Sequence, residues 1–128
     1  MNVTINWKTA TGAEKNACIG KWVCGYSAYV TALGQAVADF PTGVEDSGVQ
    51  EIQTEGLPPY LHSVDALLPW AERYERFDIH RVRSLPPHYR VVIWIGYADN
   101  EIVGESASLP EALAIALLRA AGVEVSNE

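Results

Sequence analysis

A chain of 128 residues and 14.0 kDa fits one domain spanning residues 1–128, long enough to bury about two thirds of its unfolded surface. Its composition is 48% apolar and 20% charged with mean hydropathy +0.01. Because it lacks an apolar run of about eighteen residues, a membrane span is excluded, and so is a chain disordered throughout. A net charge of −7 argues against a general nucleic-acid coat, which needs a basic surface to hold phosphates.

Residues 3–8 alternate, with Val3, Ile5 and Trp7 on one side and Thr4, Asn6 and Lys8 on the other. Period two with β-branched residues predicts a half-buried strand. Thr11-Gly12 breaks it, and Ala13 to Ile19 reads as a brief helix ending at Gly20. From 26 to 40 the period changes. Tyr26, Tyr29, Val30, Leu33, Val37 and Phe40 recur at spacings of three and four, predicting one face of a helix weakened by Gly34 and stopped by Pro41. Residues 41–60 hold Pro41, Gly43, Gly48, Gly56, Pro58 and Pro59, with Glu45, Asp46, Glu51 and Glu55 and no Lys or Arg. Such a stretch buries little and reads as a long, exposed acidic loop.

Asp65 is the expected N-cap of the next helix, because that register puts Pro69 at the fourth helical position, where its missing N–H costs nothing. A cap at Ser63 would set the proline deeper, at a cost of about 3 kcal/mol. The helix is expected to reach Arg76, with Leu67, Leu68, Ala71 and Tyr74 inward. Residues 77–84 and 89–97 then read as strands of a hairpin around Leu85-Pro86-Pro87-His88. The apolar run Val91 to Ile95 predicts a strand at a sheet centre covered on both faces. After a turn at Asp99-Asn100, Ile102-Val103-Gly104 opens a third strand. Ser108 and Glu111 have capping-box spacing, Leu109 to Ala120 keeps helical period, and Gly122 is the expected left-handed cap.

These residues resemble a family. Pro58-Pro59-Tyr60 followed by Asp65-Ala66-Leu67-Leu68-Pro69-Trp70 resembles the motif that opens the main helix of the phage ABA sandwich domain, with two extra residues before Asp65. The run from Ala107 to Glu124 resembles that family's closing helix, and Glu14-Lys15 with Trp22 resembles its N-terminal motif. The resemblance covers residues 57–124 well and the first forty poorly. It implies an α-β-α layered sandwich encoded by phages and prophages, and it implies no reaction. The expected fold is therefore α/β of the α+β type. A mainly antiparallel sheet of 77–84, 89–97, 102–106 and the N-terminal strand is covered by the 66–76 and 109–121 helices, with the 26–40 helix on another face.

Nothing in the pattern points to catalysis, a metal or a cofactor. His62, His80 and His88 are unclustered, and two cysteines, Cys18 and Cys24, are too few for a thiolate zinc site or a disulfide framework. Both read as reduced, unactivated thiols. No nucleophile elbow, Walker A or dinucleotide fingerprint occurs. The first residues lack an export signal, which predicts a cytoplasmic protein.

Charge is more informative. Arg73, Arg76, Arg81, Arg83 and Arg90 fall within residues 72–90, a window of net charge +2 against −9 for the remainder. By strand alternation Arg81 and Arg83 share one face, and Arg90 shares a face with Trp94. Arginine forks beside an aromatic hold phosphates by bidentate bonds and stacking, so Arg81, Arg83, Arg90 and Trp94 are the candidate ligand-binding residues. The plainer reading is that these arginines solvate sheet edges. Trp70 and Trp94 read as core, while Trp22, Tyr26 and Tyr29 suggest a subunit contact in a homo-oligomer. The functional expectation is a non-enzymatic phage or prophage protein that acts by binding, with a host defence component or a nucleotide-like small molecule as target. The alternative is an acidic protein–protein inhibitor that mimics nucleic acid.

Overall fold

The computed structural model describes residues 3–44, 48, 50–96 and 100–126, so Glu45, Asp46 and Asp99 lie outside the described residues. It is a mixed α+β fold with two three-stranded antiparallel sheets and one two-stranded parallel pair.

The N-terminal strand β1 (Thr4–Asn6) keeps the expected alternation, but it does not join the main sheet. It pairs in parallel with a C-terminal strand, β8 (Glu124–Ser126), in the register Ile5↔Val125. Trp7 turns inward just beyond it and is buried. Helix α1 (Gly12–Trp22) begins at a capping box: the Thr11 hydroxyl accepts from the Glu14 N–H at 3.1 Å, and the Glu14 carboxylate accepts from the Thr11 N–H at 3.2 Å. Gly20 does not end this helix. It is buried inside it, against Leu57 and Ala28.

The largest correction concerns residues 26–40. They form no helix: β2 (Ser27–Val30) and β3 (Ala36–Val44) make an antiparallel hairpin. The Gly34 N–H donates to Thr31 O at 2.9 Å and the Thr31 N–H to Gln35 O at 2.8 Å, with Gly34 at φ +80°. That left-handed turn residue suits glycine at little steric cost. Leu33, assigned to a core face by its spacing, sits at the turn tip and is 88% exposed. Pro41 lies within β3 beside a bulge rather than ending the element. The 41–60 segment is likewise not a loop, because β4 (Gln50–Gly56) pairs with β3. The expectation that it buries little holds for residues 51–56, which are all exposed, and fails at Tyr60, which is buried in the core.

Helix α2 (Val64–Ala71) is capped by Ser63, whose hydroxyl accepts from the Ala66 N–H at 3.2 Å. Asp65 is therefore a first-turn acid facing the positive end of the helix, not the cap. Pro69 falls inside the helix in the register judged costly. Asp65 and Pro69 are both exposed, so the carbonyl that loses its donor stays hydrated. The helix ends at Ala71, short of Arg76.

The second sheet follows expectation more closely. Strands β5 (Arg76–Val82), β6 (His88–Ile95) and β7 (Asn100–Ser106) are antiparallel with β6 central. Helix α3 (Leu109–Ala120) covers one face, and every residue from Ala112 to Leu118 is buried. The other face of β6 is not covered by a helix. A helix apolar all round must lie between other elements. α3 does so, contacting β6, β7 and β8 as well as α1, α2 and the 3-10 turn Tyr60–His62. Gly122 closes α3 as expected: its N–H donates to Arg119 O at 3.1 Å, and the Val123 N–H donates to Leu118 O at 3.0 Å.

The Ser108 capping box does not form. Glu111 is drawn away, accepting from Trp7 Nε1 at 3.2 Å and lying 3.6 Å from Lys15 Nζ. Its carboxylate ties α3 to α1 and the β1 turn. Arg119 makes a matching tie at the far end, donating to Val103 O at 2.7 Å and Val125 O at 2.8 Å.

Candidate ligand site on the open sheet face

Register decides which side chains share the open face of β5–β6–β7. Arg76 pairs with Trp94, Asp78 with Val92, His80 with Arg90 and Val82 with His88. Across β6, Trp94 pairs with Glu101, Val92 with Val103 and Arg90 with Glu105. Because Val91 and Ile93 face α3, these alternate positions face away from it.

The face has two arginine–carboxylate pairs, with a histidine ring beside each carboxylate. Arg76 lies 3.8 Å from Asp78 and His80 3.9 Å from Asp78, while Arg90 lies 3.6 Å from Glu105 and His88 3.4 Å from Glu105. The two arginine pairs are largely solvated and contribute at most about 1 kcal/mol each. Their main effect is to hold the guanidinium planes in place. Arg76 is stacked over Trp94 with 4.1 Å to the ring centroid, and Arg73 is stacked over Trp70 at the same 4.1 Å. Trp70 in turn meets Tyr26 edge-on at 6.1 Å, and Tyr26 meets Phe40 at 5.1 Å. Beside Trp94 opens a cleft of about 250 Å³ lined by Arg73, Tyr74, Glu75, Trp94, Ile95 and Gly96. Its lining offers one guanidinium fork (Arg73), one carboxylate and an indole, the indole on which Arg76 is stacked.

The four sequence candidates do not converge. Trp94 is half-buried at the cleft, and Arg90 lies on the same face four residues back, held by Glu105. Arg81 pairs with Tyr89 and so points to the other face. With Arg83, Ser84, Leu85 and Pro87 it borders an open recess of about 600 Å³ at the hairpin tip. The arginines that reach tryptophans are Arg73 and Arg76. The sequence held a signal for Arg76: a hairpin centred on Leu85 sets Arg76 opposite Trp94. Trp70 and Trp94 are half-buried, and Trp22 is 39% exposed.

Cys24 Sγ lies 3.4 Å from the Tyr60 hydroxyl. Burial pushes the Cys18 and Cys24 thiols above their ordinary range, although Lys21 opposes the shift at Cys18, and Tyr60 and Arg73 oppose it at Cys24. Burial and the Cys24 contact push Tyr60 up further. Neither thiol is activated as a nucleophile at neutral pH. Among the described residues no three His, Cys, Asp or Glu side chains gather to hold a metal ion, and no helix is long and apolar enough to cross a membrane.

No family model and no curated protein matches the chain, so the resemblance to the phage ABA sandwich domain has no family match behind it. Among solved structures, the chain is similar to a phage protein from Bacillus cereus ATCC 14579, known from a 2.0 Å crystal structure. The TM-score is 0.61 at 14% identity, over 91% of this chain and 92% of that one. This chain thus shares the fold of a phage protein along nearly its whole length.

Proposed function

We propose that this is a phage or prophage accessory protein of the host cytoplasm, acting by binding without catalysis, and that the cleft beside Trp94 holds a nucleotide-like ligand. One observation carries the reading: the Arg76 guanidinium is stacked at 4.1 Å on Trp94, the indole that lines the cleft together with Arg73 and Glu75. A planar base extends the indole–guanidinium stack, a phosphate takes the fork of Arg73 or Arg76, and Glu75 accepts from a base amine or sugar hydroxyl. The likeness to a phage protein supports the origin, and capture of a nucleotide signal or a host factor suits a counter-defence role.

Thermal-shift titration with linear and cyclic mono- and dinucleotides tests this. A true ligand at a hundred times its Kd stabilises the fold by about 2.7 kcal/mol. Trp94→Ala and Arg76→Ala should each weaken binding at least about tenfold, whereas Arg81→Ala should leave it intact. No shift with any nucleotide, or a shift that survives Trp94→Ala, would overturn the reading.

A second reading rests on charge. Between Lys21 and Arg73 the chain has no Lys or Arg and seven carboxylates, and much of that stretch forms the β2–β3–β4 sheet. Such a surface suits an inhibitor that meets a basic host protein as nucleic acid would. Salt-sensitive capture of a basic host protein supports it; capture unchanged by neutralising Glu45, Asp46, Glu51 and Glu55 counts against it.

A further inference from the structure

The tip of the β5–β6 hairpin is shaped for insertion. Leu85 is 99% exposed, and a leucine so displayed gains by burial against a partner. The tip is also held in one shape. The Ser84 hydroxyl donates to Pro86 O at 2.7 Å and lies 2.9 Å from His88 Nδ1, and Pro86 and Pro87 stiffen the chain between them. Little conformational freedom is therefore left to lose on docking. Arg81 and Arg83 flank the leucine, and neither has a carboxylate partner among the described residues. The occupant of a surface facing this tip must offer an apolar floor and an anionic group.

The chain itself carries such a surface. On the outer face of β2–β3–β4, register brings together Tyr29, Asp39, Pro41, Ile52 and Thr54. Tyr29 and Ile52 are 42% and 59% exposed. A recess of about 320 Å³, lined by Ser27, Asp39, Pro41 and Ile52, opens there. Asp39 Oδ1 accepts from the Tyr29 hydroxyl at 3.0 Å and from Thr54 Oγ1 at 2.6 Å. These bonds aim the carboxylate, and its second oxygen takes no hydrogen bond from the described residues. The sheet contains no Lys or Arg to compete for it.

We propose that the occupant of this recess is a second copy of the chain: Leu85 of one copy packs against Ile52 and Pro41 of the next, and Arg81 or Arg83 pairs with Asp39. Donor and acceptor are different parts of one chain, so the contact either closes reciprocally into a twofold dimer or runs head to tail into a larger ring or an open row. Repulsion between copies of net charge −7 is screened beyond about 8 Å at physiological salt, leaving short-range complementarity to decide. The contact is independent of the Trp94 cleft.

Sedimentation velocity with three samples tests it. Wild type should sediment faster as its concentration rises. A tip variant (Leu85→Ser with Arg81→Glu and Arg83→Glu) and a recess variant (Ile52→Lys) should each be monomeric while keeping wild-type circular dichroism, since all four positions are exposed. Mixed one to one, they should form a dimer and nothing larger, because the mixture has one working tip facing one working recess. Wild type monomeric up to about 1 mM would overturn the proposal, and that is also the result expected if the tip serves a different acidic protein. Association surviving in either variant, or a mixture that stays monomeric, would overturn it as well.

Discussion

Gly104 sits where β7 and α3 touch backbone to backbone. A Cβ there would run into the Ala112 carbonyl and the Ala116 amide, both main-chain atoms that cannot swing aside. The helix answers with alanines at those two positions, four residues apart on one face. Gly104→Ala must therefore push the strand off the helix, and it should cost about 3 kcal/mol or more in a denaturant melt, far beyond an ordinary strand substitution. A cost under about 1 kcal/mol would mean that the two elements are farther apart than described. Glu111 teaches a related lesson. Its spacing from Ser108 is that of a capping box, yet Trp7 and Lys15 claim the carboxylate. A local motif states what a side chain can reach, and the tertiary neighbours decide what it takes.

Elements were legible where local signals agreed. The hairpin of β5 and β6, the central place of β6 and the closure of α3 at Gly122 all follow from patterns that point one way. Residues 26–40 misled because apolar residues at spacings of three and four arise by coincidence in two short strands joined by a turn. Gly34 was the discriminating residue: a defect in a helix, but a natural fit at φ +80°. For α2 the cost assigned to Pro69 was right in kind and misapplied in place, since it falls on the solvent side. The chain still bears part of it. Pro69→Ala restores a donor for Asp65 O and should raise stability by about 1 kcal/mol, the helix gain exceeding the added freedom of the unfolded chain. A melting temperature that falls instead would show that the proline's fixed φ is what holds this short helix.

Across the whole molecule, charge is divided. The β2–β3–β4 half has carboxylates without Lys or Arg, and the β5–β6–β7 half has arginines interleaved with acids. That division was visible in the sequence. The meeting of Arg76 with Trp94 was visible only for a hairpin centred on Leu85 itself. The place of Arg73 was not visible, because it depends on α2 ending early enough to bring it beside the cleft. The cleft at Trp94 is the centre of the proposed function, and the indole N–H resonances report on it directly. In a proton–nitrogen correlation spectrum titrated with the nucleotide that most raises the melting temperature, Trp94 Nε1–H and the amides of Arg73 to Arg76 and Gly96 should move, while Trp7 Nε1–H, bound to Glu111, should not. Movement confined to residues 81–88, or no movement at saturating nucleotide, would contradict it.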